Sequence, residues 1–163
     1  RGSGNILAIH WSILASSFMH AGYLHILGNM VFLSVFGPAL EKQIGLVRFC
    51  LFYLLAAFVA FYSHAVVYPT SPAPVVGASG AIAAVMGAYL VFSPRARILT
   101  IVPLLFLIEV VEIPAVVFMV VWFLLQGAQG FLSIHSQTDV AWFSHMGGFI
   151  LGFILGINMQ WFK

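Results

Sequence analysis

Five long apolar runs, separated by short polar or proline-containing breaks, dominate the pattern of hydrophobic and polar positions along this chain. Apolar runs of about 18 residues or more are typical of transmembrane helices. The pattern therefore predicts an all-α, polytopic transmembrane helical bundle. Its five predicted spans lie at residues 24–40, 49–67, 75–92, 113–131 and 142–162.

The apolar stretch at residues 98–112 does not fit a sixth span. It contains Pro103, Glu109 and Glu112 and leads directly into Pro114, which leaves almost no turn before the next predicted span. We therefore predict an interfacial or partly extended connection for this segment.

Composition supports a membrane protein with a single folded unit. Of the 163 residues, 63% are hydrophobic and 6% are charged, whereas about 25% of residues are charged in soluble domains. This length fits one helical bundle and leaves no room for a second domain. The net charge of +2, without a basic cluster, argues against a nucleic-acid partner. Cys50 is the only cysteine, so we expect it to pack against lipid or core rather than form a disulfide.

The distribution of positive charge predicts how the bundle is oriented. With five spans, one side of the membrane holds Lys42, Arg48, Arg95, Arg97 and Lys163. The positive-inside rule makes that side, and the C-terminus, cytoplasmic. The opposite, outer side then holds the N-terminus, although nothing in the sequence would translocate it. We therefore expect a further span upstream of Arg1.

Polar residues within or beside membrane spans are costly, so each needs an explanation in packing or chemistry. His25 and Asn29 are four residues apart, which places both on one face of a helix. Both side chains can donate hydrogen bonds to a developing oxyanion. Taken alone, the pair is better explained as a polar clamp between helices, which is common in bundles.

Ser79 lies between Gly77 and Gly80, directly after a proline-rich break, and therefore near the N-terminus of a predicted helix. Such helix ends offer unsatisfied backbone N–H groups. His145 opens the last span, with Gly148, Gly152 and Gly156 along the same face. Small-residue faces allow helices to approach closely, which would bring a serine within hydrogen-bond distance of a histidine. Taken alone, Ser79 is better explained by helix packing, and His145 by a hydrogen bond within a loop.

The other titratable residues indicate no further chemistry. We interpret His10, His20, His64 and His135 as loop or interfacial residues, and we expect no metal site. Asp139 is the only aspartate, which excludes a protease with two catalytic aspartates. A Ser–His dyad needs no carboxylate as a third member.

Three motifs together resemble the rhomboid intramembrane serine proteases. They are FMHAGYLHILGNM at residues 18–30, GASG at residues 77–80 and HMGG at residues 145–148. They occur in the family's order, and the similarity covers nearly the whole chain. The resemblance implies a six-helix core whose first helix is missing here, with residues 1–23 forming the rear of the first outer loop. The whole range 1–163 would then be one rhomboid-like membrane protease domain.

The resemblance also implies roles for individual residues. Ser79 would be the nucleophile and His145 the general base, while His25, Asn29 and the backbone N–H of Ser79 would form the oxyanion hole. Helix packing at the site would fall to Gly77, Gly80, Gly148 and Gly152. Gating of substrate entry would fall to Trp142 and Phe143. In one departure, the tyrosine that some members stack on the histidine is replaced here by Ala83.

The predicted activity is hydrolysis of peptide bonds in or near transmembrane segments of single-pass or polytopic membrane proteins, without a cofactor. We expect the enzyme in a bacterial or archaeal plasma membrane, with its active site near the outer face. One alternative is a catalytically weak rhomboid-like protein that binds or dislocates transmembrane clients. Another is a small transporter with histidines as proton relays, but the sequence lacks the internal symmetry that this predicts.

Overall fold

A computed structural model describes residues 5–70, 75–104, 107–134 and 140–160. Six helices and two strands follow one another within these ranges. In chain order they are α1 (Ile6–Ser16), α2 (Tyr23–Ile44), α3 (Leu46–Val67), α4 (Ser79–Phe92), β1 (Arg97–Leu104), β2 (Leu107–Pro114), α5 (Ala115–Ser133) and α6 (Trp142–Gln160). The chain is mostly helical, as predicted, but the two strands depart from the predicted all-α class.

Four of the described helices, α2, α3, α5 and α6, are long and apolar enough to cross a membrane. The fifth predicted span, at residues 75–92, differs from its prediction. Its helix, α4, begins only at Ser79 and has 14 residues, which is about 21 Å of helix at 1.5 Å per residue. A hydrocarbon core of roughly 30 Å exceeds that length. The prediction of five full-length spans is therefore not confirmed.

Helix α4 is the centre of the bundle. Every residue from Gly80 to Ala88 is buried, and the hydrophobic core contains side chains from α2, α3, α5 and α6 around it. A short, fully enclosed helix can consist of small apolar residues, because neighbouring protein rather than lipid covers all its faces.

Glycines hold α4 and α6 together in parallel. A Cβ atom on Gly148 would collide with the carbonyl oxygen of Gly80, and one on Gly152 with that of Ala84. One turn further along, a Cβ atom on Gly156 would approach Ala88 Cα at 3.2 Å. Because these contacts advance by four residues on both helices, the residues that begin α4 and α6 lie side by side.

Residues 97–114 form an antiparallel hairpin at the opposite end of α4. Its register runs from Arg97 opposite Pro114 to Leu104 opposite Leu107, and an Arg97–Glu112 ion pair of 3.7 Å lies near its base. The prediction of a partly extended connection is confirmed. Within the predicted first outer loop, residues Ile6–Ser16 form helix α1, whose Ile13 is buried.

Candidate active site

The turn before α4 fixes the position of Ser79. Gly77 has a φ angle of +117°, a conformation that side-chain-bearing residues rarely adopt. Its N–H donates a 2.9 Å hydrogen bond to the carbonyl of Ser16 at the end of α1. A Cβ atom on Gly77 would lie 2.8 Å from His25 Nε2. Gly77 therefore lies in the turn beside His25, whereas the family resemblance had implied a role in packing between helices.

Ser79 and His145 lie within hydrogen-bond distance. Ser79 Oγ is 2.8 Å from His145 Nε2, and both residues are half-buried. Ser79 is the first residue of α4, and His145 lies in the first turn of α6. The short contacts of Gly80 with α6 bring the two helix ends close enough for this bond: a Cβ atom on Gly80 would lie 2.6 Å from Ser144 Oγ.

Gln126, which the sequence motifs did not identify, binds the second ring nitrogen of His145. Gln126 Oε1 on α5 lies 2.6 Å from His145 Nδ1, and the Gln126 side chain is buried. The aromatic rings of Trp122 and Trp142 lie 6.1 and 6.0 Å from the imidazole. The signal available in the sequence was a polar amide within the apolar run at residues 113–131.

His25 and Asn29 direct their donors toward one region beside Gly77. The Ala21 N–H donates to His25 Nδ1 at 3.3 Å, so the neutral ring carries its proton on Nε2. Asn29 is 8% exposed, and its buried Nδ2 has no hydrogen-bond partner among the described residues. The position of a Cβ atom on Gly77 lies 2.8 Å from His25 Nε2 and 3.7 Å from Asn29 Nδ2. Both nitrogens thus lie close to the turn that precedes Ser79.

These polar residues line one side of a cavity of about 440 Å³. Its lining includes the polar residues Ser79, His145, His25, Asn29 and Gln126, and the rest is largely apolar, including Phe32, Ile82, Met86, Trp122 and Trp142. A mostly apolar cavity with a few convergent polar groups is the usual form of a ligand site.

The two residues predicted to gate the site occupy different places. Trp142 lines the cavity, whereas Phe143 packs against the ring of Tyr68 at 5.8 Å and is not part of the cavity wall. Their roles in gating stay predictions.

The remaining histidines lie in several parts of the chain. Within the described ranges, no group of three histidine, cysteine or acidic residues is arranged to hold a metal ion. His10 Nδ1 bonds the carbonyl of Ile6 at 2.7 Å on the exposed side of α1, and His20 stacks edge-on against His25. His135 and Asp139 lie outside the described residues.

Comparison with known proteins identifies the family of the chain. The family model for the Rhomboid domain matches residues 9–161. The chain belongs to the rhomboid family. Relatives include RHOMBOID-like protein 2 of Arabidopsis thaliana, which is 32% identical over 154 residues, covering 90% of this chain and 41% of the relative. RHOMBOID-like protein 4 of the same plant is 29% identical over 154 residues, covering 90% of this chain and 33% of the relative.

A bacterial rhomboid relative is also similar. YdcA of Bacillus subtilis, provisionally named a rhomboid protease, is 36% identical over 80 residues, covering 49% of this chain and 40% of the relative. The matched regions therefore cover only 33–41% of the length of these curated rhomboid relatives. Because they come from a plant and a bacterium, they do not support the expected bacterial or archaeal plasma membrane over other membranes.

Proposed function

We propose that this rhomboid domain is a serine endopeptidase that hydrolyses peptide bonds in or near transmembrane segments of other membrane proteins. The observation that carries the proposal is the 2.8 Å contact between Ser79 Oγ and His145 Nε2. It lies in the wall of a cavity that His25 and Asn29 also line. A nucleophile, a base and two oxyanion donors thus share one space, which a packing role for each residue would not require.

Acylation follows from this geometry. The Ser79 hydroxyl attacks the scissile carbonyl carbon while its proton passes to His145 Nε2. The negative charge that develops on the carbonyl oxygen is stabilised by His25 Nε2–H, Asn29 Nδ2–H and the Ser79 backbone N–H. The C–N bond then breaks, and the imidazolium of His145 returns the proton to the leaving amine.

Deacylation uses the same residues in reverse order. Water attacks the Ser79 ester carbonyl as His145 Nε2 removes its proton, and the same donors stabilise the second oxyanion. Collapse of this intermediate breaks the ester bond and returns a proton to Ser79 Oγ. The peptide acid leaves, and the dyad is restored.

Membrane proteins are the proposed substrates, and several features of the bundle favour them. Helix α4 is shorter than the hydrocarbon core is thick, so a serine at its end can lie within the thickness of the bilayer while the helix's other end remains near the opposite surface. The cavity wall is mostly apolar. A continuous substrate helix shields its own carbonyl groups, so the cleaved segments should contain small or helix-breaking residues near the scissile bond.

Fluorophosphonate labelling of the purified protein tests the nucleophile directly. We expect labelling of the wild type, none of Ser79→Ala, and cleavage of a transmembrane reporter substrate that follows the same pattern. Ser34→Ala is the matched control, because Ser34 Oγ is exposed on α2 and bonds only its own helix at Val31 O. It should be labelled like the wild type.

Two results would contradict the proposal. Labelling that persists in Ser79→Ala would remove Ser79 as the nucleophile. Binding of transmembrane clients without any cleaved product, unchanged in Ser79→Ala, would instead identify a rhomboid-like protein that holds or dislocates its clients.

A further inference from the structure

We propose that Gln126 is a positioning residue that fixes the tautomer of His145 and so makes Nε2 the basic nitrogen. The dyad would then act as a Ser79–His145–Gln126 triad whose third member is an uncharged amide. The kinetic part of this inference rests on the proposed function, whereas the tautomer is a property of the resting protein and is tested separately.

The argument begins with the two hydrogen bonds of the imidazole. Gln126 Oε1 is 2.6 Å from His145 Nδ1, and an amide oxygen can only accept a hydrogen bond. His145 Nδ1 must therefore carry the proton. A neutral imidazole has one ring proton, so Nε2 has a free lone pair and accepts the Ser79 hydroxyl at 2.8 Å. Ser79 therefore donates to His145, and His145 donates to Gln126, so both hydrogen bonds run in the same direction.

Contacts with aromatic rings do not by themselves select the tautomer of His145. Trp122 and Trp142 lie on the imidazole at 6.1 and 6.0 Å, which restricts how the His145 ring tilts. Packing of aromatic rings does not determine which nitrogen carries the proton. The tautomer of a histidine is set by the hydrogen bond that its second nitrogen makes, and Gln126 supplies that bond.

An amide suits this position better than the carboxylate of soluble serine proteases. Gln126 is 8% exposed and lies in a helix long and apolar enough to span a membrane. A buried charge in such surroundings is costly to desolvate, whereas a neutral amide costs less and still accepts the Nδ1–H bond. The site thereby selects one tautomer without adding a buried charge.

Nitrogen-15 NMR of protein labelled at histidine tests the tautomer, in a buffer alkaline enough to keep the ring neutral. His145→Ala identifies the signals of His145 by their loss. In the wild type we expect a protonated Nδ1 and an unprotonated Nε2. In Gln126→Met, which keeps the side-chain length but removes the acceptor, the signals should move toward the other tautomer. Gln126→Glu retains an acceptor and should keep the wild-type assignment.

Kinetics on a transmembrane reporter substrate provide the second readout. We expect kcat of Gln126→Met to fall about 100-fold with little change in KM. In a serine protease triad whose third member is replaced by a residue that favours the wrong histidine tautomer, kcat falls roughly 10⁴-fold. We expect a smaller loss here, because methionine favours neither tautomer. Gln126→Glu should lose about tenfold or less. Gln129→Met is the matched control, because Gln129 lies on the same helix with an exposed side chain, and it should behave like the wild type.

The remaining outcomes decide whether Gln126 sets the tautomer of His145. A protonated Nε2 in the wild type, or tautomer signals unchanged in Gln126→Met, would overturn the inference even if kcat fell, because the role of Gln126 would then be structural. If Gln126→Met does not fold, a changed tautomer in folded Gln126→Glu would also overturn it, and a retained one would support it. Absence of cleavage and labelling in the wild type would refute the proposed protease but leave the NMR comparison valid.

Discussion

Asn29 is a buried amide in the wall of the cavity, and its Nδ2 lacks a partner among the described residues. An unsatisfied buried donor costs about 1–3 kcal/mol, which is reasonable if the donor is used when an oxyanion forms. We therefore expect Asn29→Ala to lower kcat about 100- to 1000-fold. KM on a reporter substrate should change little, because the bond strengthens only as charge develops on the carbonyl oxygen.

The competing interpretation of Asn29 is a polar clamp between helices, and it predicts the opposite pattern. A clamp would lower the thermal unfolding midpoint of Asn29→Ala in detergent, with kcat falling only as the protein unfolds. Asn158→Ala is the control, since Asn158 Nδ2 bonds the carbonyl of Ile154 on an exposed face of α6. An Asn29→Ala protein that is less stable but fully active per folded molecule would exclude the oxyanion role.

The sequence identified individual polar residues better than it identified their partners. Ser79, His145, His25 and Asn29 are recognisable because motifs of fixed spacing surround them, and the structure brings all four to one cavity. Gln126 belongs to no such motif. Its contact with His145 depends on how α5 lies against α6, and sequence spacing within one helix carries no information about that packing.

At the scale of the helices, close backbone contact between α4 and α6 sets the distance from Ser79 to His145. Gly152→Ala tests this, because its Cβ atom would collide with the backbone of Ala84, which cannot move aside as a side chain can. Overpacking of a core costs typically 1–3 kcal/mol. We expect a lower thermal unfolding midpoint in detergent and a slower rate of fluorophosphonate labelling.

Gly127→Ala is the matched control for that helix contact. A Cβ atom on Gly127 would meet only Met146 Cε at 3.6 Å, an ordinary van der Waals distance. Replacing a helical glycine by alanine is intrinsically favourable by up to about 1 kcal/mol, so this variant should be as stable as the wild type or slightly more so. Equal labelling rates and midpoints in Gly152→Ala and Gly127→Ala would show that the α4–α6 contact does not control the dyad.

Contacts between elements also determine where a helix begins, as the start of α4 shows. The apolar run at residues 75–92 continues through Val75 and Val76, so hydropathy gave no reason to begin the helix at Ser79. Gly77 has a positive φ angle and donates a hydrogen bond to Ser16 in the turn just before the helix, and that bond requires α1 to be in place. The partly extended connection at residues 98–112 was easier to anticipate, because its proline and glutamates oppose a spanning helix, but its pairing into a hairpin was not predicted.

At the scale of the whole molecule, the helices that form the site all contribute residues from one end of the bundle. The N-termini of α2, α4 and α6 and the C-terminus of α5 meet there. At the other end of the bundle, Lys42 lies in the last turn of α2, Arg48 in the first turn of α3, and Arg95 and Arg97 shortly after α4. The positive-inside rule predicts that this basic end is cytoplasmic and that the site is near the outer face.

Single cysteines test that orientation, since Cys50 is the only native thiol and Cys50→Ala gives a cysteine-free background. Position 70, changed in Thr70→Cys, follows α3 at the end of the bundle that holds the site. Position 94, changed in Pro94→Cys, lies in the turn after α4, and both positions are exposed. In sealed cells, a membrane-impermeant maleimide should label Thr70→Cys at once and Pro94→Cys only after permeabilisation. Neither change alters a charge, so the topology signal itself is preserved. The reverse pattern would place the cavity on the cytoplasmic side, and substrates would then have to present their scissile bonds from that leaflet.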